Sequence, residues 1–401
     1  MKLSDQLQGI APSATLGITA RAHEMQAAGI DVIDLSAGEP DFESPSQSKN
    51  DAIQAIEEGF TRYTNTSGII PLKTIIAKKL LNENNLEYGT DEIIVSCGAK
   101  HSLFNLMQVL LNRGDEVLIP SPHWLTYPDQ VRLHGGVPVL IPTNEQTRFK
   151  TTTSQLTQFL TPRTKALIIN SPSNPTGAVY DQATLEEIAN FAITHDLLVI
   201  SDEIYEHFLY GGRTHCSIAS LGPKIKARTI VINGISKTFA MTGWRIGYAA
   251  GPKPIVSAMG TIQSQSTSNP SSIAQKAAIG ALREGHNFYA HMVKEFSERR
   301  TLGHTKLKTI PRVSCLDPEG AFYLFVNISM LIGTRLDDQT MTSASQIATY
   351  LLHEANVAVV PGEPFGSPSH LRISYATSRE KVQDGLERVH IALQKLQTVT
   401  S

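Results

Sequence analysis

LLVISDE (197–203) runs four apolar residues straight into a serine and two carboxylates. A strand with one face in water alternates apolar and polar side chains, whereas a near-continuous apolar run marks a strand covered on both faces, as in parallel sheets. Outward from this stretch, EIIVSCG (92–98), EVLIPSP (116–122), PVLIPT (138–143), ALIINSP (166–172), TIVINGIS (229–236) and RIGYAAG (245–251) resemble it. Helical-period segments such as DQATLEEIANFAITHD (181–196) separate some of these runs. The pattern predicts an α/β fold with a mainly parallel seven-stranded sheet flanked by helices.

The C-terminal third changes character. Charged helical patterns (274–307) lead into FYLFVNIS (322–329), VAVVPG (357–362) and HLRISYA (370–376), then a final helix near 379–396. These predict a smaller α+β domain. The turn-rich N-terminal segment has too few periodic apolar residues to fold alone. The expected divisions are an arm (1–45) packing with the small domain, a large domain (46–300) and the small domain (301–401).

Thirty-five Lys and Arg against 37 Asp and Glu leave a formal charge of -2, so no whole-chain field draws the protein to nucleic acid or an anionic membrane. Neither a signal-type apolar segment nor a run approaching the roughly 20 apolar residues of a bilayer span occurs, and a cytoplasmic location is the expectation. Cys97, Cys216 and Cys315 are odd in number and far apart, which fits neither a disulfide framework nor a zinc site, and no metal is expected.

In open α/β sheets ligands bind at the carboxyl ends of strands, so the residues that follow each run are the candidates. Gly98-Ala99-Lys100 opens a helical pattern and could offer backbone N–H groups to a phosphate, or be simple turn chemistry. Trp124 is a core aromatic or a stacking surface for a flat ring. Asn174-Pro175-Thr176-Gly177 is a turn by propensity, yet it also puts an amide at the sheet edge. Asp202, closing a buried strand, is costly unless paired. It caps a helix or faces a cationic ring nitrogen, with Tyr205 able to reach another ring substituent. Ser236-Lys237 ends the next run, and a lysine desolvated near other cations becomes nucleophilic toward an aldehyde. Arg245, eight residues on, can present a planar fork to a phosphate. Together these suit one ligand with a flat ring, a protonated nitrogen, a phenolic oxygen, a phosphate and an aldehyde: pyridoxal 5'-phosphate.

SAGEPDF (36–42), SPHWLTYP (121–128), NSPSNPTGAVY (170–180), SDEIYEH (201–207), GISKTFAMTGWRIGY (234–248) and RISYA (372–376) occur in an order and spacing that resemble fold type I pyridoxal-phosphate enzymes. More narrowly, the chain resembles the class I aminotransferases of the aspartate aminotransferase family. The resemblance implies that Lys237 holds the cofactor as a Schiff base and moves the substrate's Cα proton, while Asp202 keeps the pyridine nitrogen protonated. It further implies that Tyr205 and Asn174 bond the phenolic oxygen, that Trp124 stacks on the ring, and that Ala99, Lys100, Ser236 and Arg245 surround the phosphate. Tyr63 would reach the phosphate of a neighbouring subunit, which implies a homodimer with shared sites. Arg372 would grip the substrate α-carboxylate, with Gly38 touching it through the backbone. The implied reaction is ping-pong transfer of the amino group from L-aspartate to 2-oxoglutarate. An aromatic or broad-specificity aminotransferase shares every one of these cofactor residues. Prephenate-accepting relatives carry a lysine where this chain has Ala11. A lyase remains compatible with the surroundings of Lys237, while a regulator would need a DNA-binding module that the N-terminal stretch does not contain.

Overall fold

The computed structural model describes residues 4, 9–10, 14–337 and 339–397. Helix α1 (Ala14–Ala27) is followed by a two-residue strand, β1 (Ile33–Asp34), and then by α2 (Ser46–Glu57) and α3 (Ile70–Asn84).

The seven apolar runs form one sheet: β2 (Ile93–Ser96), β3 (Glu116–Ser121), β4 (Val137–Pro142), β5 (Thr164–Asn170), β6 (Leu198–Asp202), β7 (Thr229–Gly234) and β8 (Gly247–Ala250). Their order is β2-β8-β7-β6-β5-β3-β4. Strands β3 to β7 pair in parallel, whereas β8 runs antiparallel to both β2 and β7. Alternate side chains of β7 enter different layers. Ile230 and Ile232 pack with Leu103, Leu106 and Met107 of α4 (Ala99–Leu110), while Val231 joins the opposite core with Phe208 and Tyr248. This two-sided cover is why the runs do not alternate. Each fully buried Val, Leu or Ile contributes about 1.5–3 kcal/mol from apolar burial.

The charged helical pattern of 274–307 is two helices, Ser272–Glu284 and His286–Leu307, broken at Gly285 with φ 52°. The second passes continuously through position 300. Beyond it lie β9 (Ser314–Cys315), β10 (Tyr323–Asn327), a hairpin of β11 (Arg335–Leu336) and β12 (Gln339–Thr340), then β13 (Val357–Ala358), β14 (Val360–Pro361) and β15 (His370–Ser374). Strands β14, β15, β10 and β9 make an antiparallel sheet in that order. Helix Arg379–Gln394 packs against His286–Leu307.

The N-terminal segment attaches to this second unit by strand pairing. β1 lies parallel to β13, Ser374 N–H donates to Leu35 O at 2.8 Å, and Ala22, Met25 and Val32 bury with Leu352 and Ala358. The pairing delivers residues 36–39 to the carboxyl edge of the large sheet. Among the described residues no helix is long and apolar enough to cross a membrane.

Candidate active site

Where β5, β6 and β7 end and β8 begins, a cavity of about 430 Å³ opens between the large sheet, residues 37–39 and β15. Eleven of the expected site residues line it: Gly38, Ala99, Lys100, Trp124, Asn174, Asp202, Tyr205, Ser236, Lys237, Arg245 and Arg372. Tyr63 does not. It stands 89% exposed on the loop before α3.

Lys237 lies three residues beyond β7, and its Nζ donates to Gly38 O at 2.6 Å. Burial lowers its pKa to about 8; Glu39 opposes this, while Arg372, Arg245 and Lys100 reinforce it. Burial disfavours the charged ammonium, so the free amine becomes accessible near neutral pH. The Gly38 carbonyl accepts from the lysine, and the N–H of that residue is its group able to donate to a carboxylate.

Asp202, the last residue of β6, is buried. It is not a helix cap: Oδ2 accepts from Tyr127 Oη–H at 2.7 Å and Oδ1 from Ile204 N–H at 3.2 Å. Burial raises its pKa to about 6, with the Tyr127 hydrogen bond pulling the other way. A cationic partner in the cavity would favour its ionised form. Asn170 ends β5 in the same manner, donating to Asp202 O at 3.0 Å and accepting from Asn174 N–H at 2.9 Å, which ties the 171–177 turn to β6.

Arg372, on β15, is 2% exposed. Its Nη1 donates to Asn174 Oδ1 at 3.0 Å and its Nη2 to Ser36 O at 2.7 Å, while the buried Nε finds no partner among the described residues. The guanidinium lies over Tyr323 at 4.5 Å and Phe365 at 5.1 Å. A buried cation with an unused donor is incomplete without an anion. Tyr205 Oη pairs with Tyr323 Oη at 2.8 Å, so its hydroxyl reaches the cavity as part of a phenol pair.

The opposite end is a cationic cradle. Gly98 (φ 91°) caps α4, and a Cβ there would overlap the Arg245 guanidinium; a Cβ at Gly247 would overlap Ala99 N and Gly98 C. The two glycines let the backbone of β8 touch the start of α4, whose N–H groups suit an anion. Arg245 does not begin β8, as its apolar run predicts. It stands before it in left-handed backbone (φ 58°), donating to Thr242 O at 2.8 Å and Cys97 O at 3.3 Å. Lys100 Nζ lies 4.9 Å above the Trp124 ring, its pKa lowered by burial and by Arg245.

Sequence reasoning missed Tyr127, Asn170, Tyr323 and Glu39. Asn170 carries the signal that exposed Asp202, a polar residue closing an apolar strand. Tyr127 and Tyr323 read as core aromatics, and nothing in their pattern sets them apart. Behind the site, Glu203, Glu206 and His215 approach one another, but Ser201, Ser217 and His215 occupy Glu203, and Lys79, Asn84 and Asn233 occupy Glu206.

The arrangement offers an amine able to condense with an aldehyde, an acid for a ring cation, a flat aromatic wall and two separate anion sites. Comparison with known proteins identifies the family. The family of class I and II aminotransferases matches residues 30–389. The aspartate aminotransferase of Geobacillus stearothermophilus is 49% identical over 97% of this chain and 98% of its own. The aspartate/prephenate aminotransferase of Nitrosomonas europaea is 45% identical over 97% and 99%. Among solved structures, the aspartate aminotransferase from Rhizobium meliloti superposes with a TM-score of 0.95 at 41% identity, covering 99% of this chain and 100% of that one. On this full-length agreement, the chain belongs to the class I and II aminotransferases.

Proposed function

We propose that this protein is a pyridoxal-phosphate-dependent aspartate aminotransferase, acting as a cytoplasmic homodimer. It takes the amino group of L-aspartate, releasing oxaloacetate, and passes it to 2-oxoglutarate, releasing L-glutamate, in two half-reactions at one site. The observation that carries the reading is the pairing of Lys237, a buried amine titrating near 8, with Arg372, a buried guanidinium with an unused Nε, in one cavity.

The residues present fit the cofactor. Ala99, Lys100, Ser236 and Arg245 would hold its phosphate around the glycine cradle, with Tyr63 supplied by a partner subunit. Trp124 would face its ring, Asp202 its nitrogen, and Asn174 and Tyr205 its phenolic oxygen. When bound, the cofactor supplies an electron sink for the negative charge that develops at the substrate's Cα. Arg372, with Asn174 bonded to it and Gly38 nearby, fixes the α-carboxylate and so orients the Cα–H bond. With the cofactor present, the Lys237 amine would take the proton from Cα and deliver it to the cofactor carbon that carries the amino group away, and would carry it back in the opposite direction for the second substrate; an amine titrating near 8 suits both transfers. Lys100, over the Trp124 ring in the same cavity, can meet a distal carboxylate instead of or besides the phosphate, a contact that an acidic donor has and an aromatic one lacks. Residues 46–300 act in this reading as the cofactor-binding unit, and 1–45 with 301–401 as the unit that closes over substrate.

The aspartate preference draws on the relatives' names and on this contact open to Lys100. Comparison of kcat/KM for aspartate, phenylalanine, tyrosine and alanine with 2-oxoglutarate tests it; a preference for an aromatic donor overturns it. Absence of a bound chromophore after incubation with pyridoxal phosphate, or its retention through borohydride reduction in Lys237→Ala, overturns the cofactor assignment. The name of the Nitrosomonas relative couples aspartate with prephenate, whereas this chain has Ala11 where prephenate-accepting relatives carry a lysine; direct assay with prephenate decides between the two. Ala11, the position that bears on this point, lies outside the described residues.

A further inference from the structure

Tyr127 stands in the first turn of α5 (Thr126–Leu133), three residues after Trp124. It is 2% exposed, so its hydroxyl is shielded from competing water, and that hydroxyl donates to Asp202 Oδ2 at 2.7 Å. Its ring meets Trp124 edge to face, with centroids 5.4 Å apart and planes at 81°. One side chain thus touches both the acid and the aromatic wall of the cavity, and is bonded to the acid through a single oxygen.

We infer that Tyr127 is a positioning residue for the transamination reaction, holding Asp202 in the orientation and ionisation state that keep a proton on the cofactor's ring nitrogen. This rests on the proposed role of Asp202. A donor to a carboxylate stabilises its charged form and makes it a weaker base. With Tyr127 donating, a proton shared between a ring nitrogen and Asp202 stays on the nitrogen, where it strengthens electron withdrawal. Without that donor the carboxylate competes for the proton, and withdrawal weakens. Burial pushes the phenol's own pKa far up, so the phenolic proton remains available to donate across the working pH range.

Tyr127→Phe in the cofactor-loaded enzyme removes only the oxygen and keeps the edge contact with Trp124. The expected result is a fall in kcat of roughly tenfold, with KM for the amino donor changing by less than about threefold, as loss of one charge-assisted hydrogen bond on the chemical step predicts. The cofactor remains bound, and its absorbance titrates at a shifted pH. A purely structural role would change thermal stability without moving that titration. The half-reaction rate measured in single turnover is then compared in Asp202→Asn and in the double variant. If Tyr127 acts through the carboxylate, adding Tyr127→Phe to Asp202→Asn changes the rate by less than about twofold. An unchanged kcat in the single variant, or an equal loss in both backgrounds, overturns the inference. Failure of the wild type to bind pyridoxal phosphate is a different outcome, because it removes the assignment of the site itself.

Discussion

Lys237→Met should make the cofactor-free protein more stable at neutral pH. Folding takes the Lys237 amine from an ordinary pKa of 10.5 to about 8. The folded state therefore binds this proton more weakly than the unfolded chain, and stability falls as pH drops through 10.5 toward 8. Below 8 the whole penalty is present, about 3 kcal/mol at 1.36 kcal/mol per pH unit. Methionine keeps the length of the side chain without its charge, but leaves Gly38 O without the 2.6 Å donor. An unpaired carbonyl costs about 1–3 kcal/mol, so the net gain at pH 7 lies between about 0 and 2 kcal/mol. Urea unfolding of both proteins, cofactor-free and at matched concentration, measures it. By pH 10.5 the advantage should vanish or reverse, because the wild-type amine is then neutral when folded and only the lost hydrogen bond remains. A variant less stable than wild type at pH 7, or a difference that does not change between pH 7 and 10.5, refutes the reasoning.

Other outcomes follow from the same geometry. Arg372→Leu removes a buried fork and should lower kcat/KM for any α-amino acid by about two to four orders of magnitude while leaving cofactor absorbance intact, read by steady-state kinetics and spectra. Gly247→Ala forces β8 from the start of α4; it should cost about 1–3 kcal/mol in unfolding free energy and weaken phosphate-dependent cofactor affinity, measurable by titration calorimetry. Asp202→Asn should be at least as stable as wild type above pH 6 without cofactor, since ionisation of a carboxyl titrating near 6 opposes folding there, with the difference fading as pH falls toward 3.8. The same variant, loaded with cofactor, should turn over about a hundredfold or more slowly. If Tyr63 serves a partner's site, mixing Tyr63→Ala with Lys237→Ala subunits should restore activity through hybrids that contain one unmodified site.

The large sheet was legible because burial on both faces writes itself into composition. Val, Ile and Leu fill β5, β6 and β7 almost without interruption, so the polar residues that close them stand out, and Asp202, Asn174 and Lys237 were found that way. The same physics hid the rest. An aromatic at Tyr127 or Tyr323 has the pattern of a core residue whether its hydroxyl serves the site or merely finds a partner. The left-handed backbone of Arg245 leaves no trace in an apolar run that includes it. Strand β1 is two residues long, and its partner β13 lies more than three hundred positions away, so no local periodicity could reveal their pairing. Arg372 looks like any polar residue on a half-buried strand until Ser36 and Asn174 are brought to it.

The reversed direction of β8 also bears on how this protein can be altered. Because β7 leaves the sheet and β8 re-enters it at the same edge, one short connection, residues 235–246, carries both Lys237 and Arg245. Both ends of that connection are clamped by neighbouring strands, so it behaves as a fixed-length cassette. Insertions or deletions within it shift the amine relative to the guanidinium, whereas changes beyond the far ends of the strands leave their spacing intact. Exchange of this cassette between related enzymes should carry the geometry of both groups as one unit, and libraries that vary its length should be far poorer in function than libraries that vary its sequence.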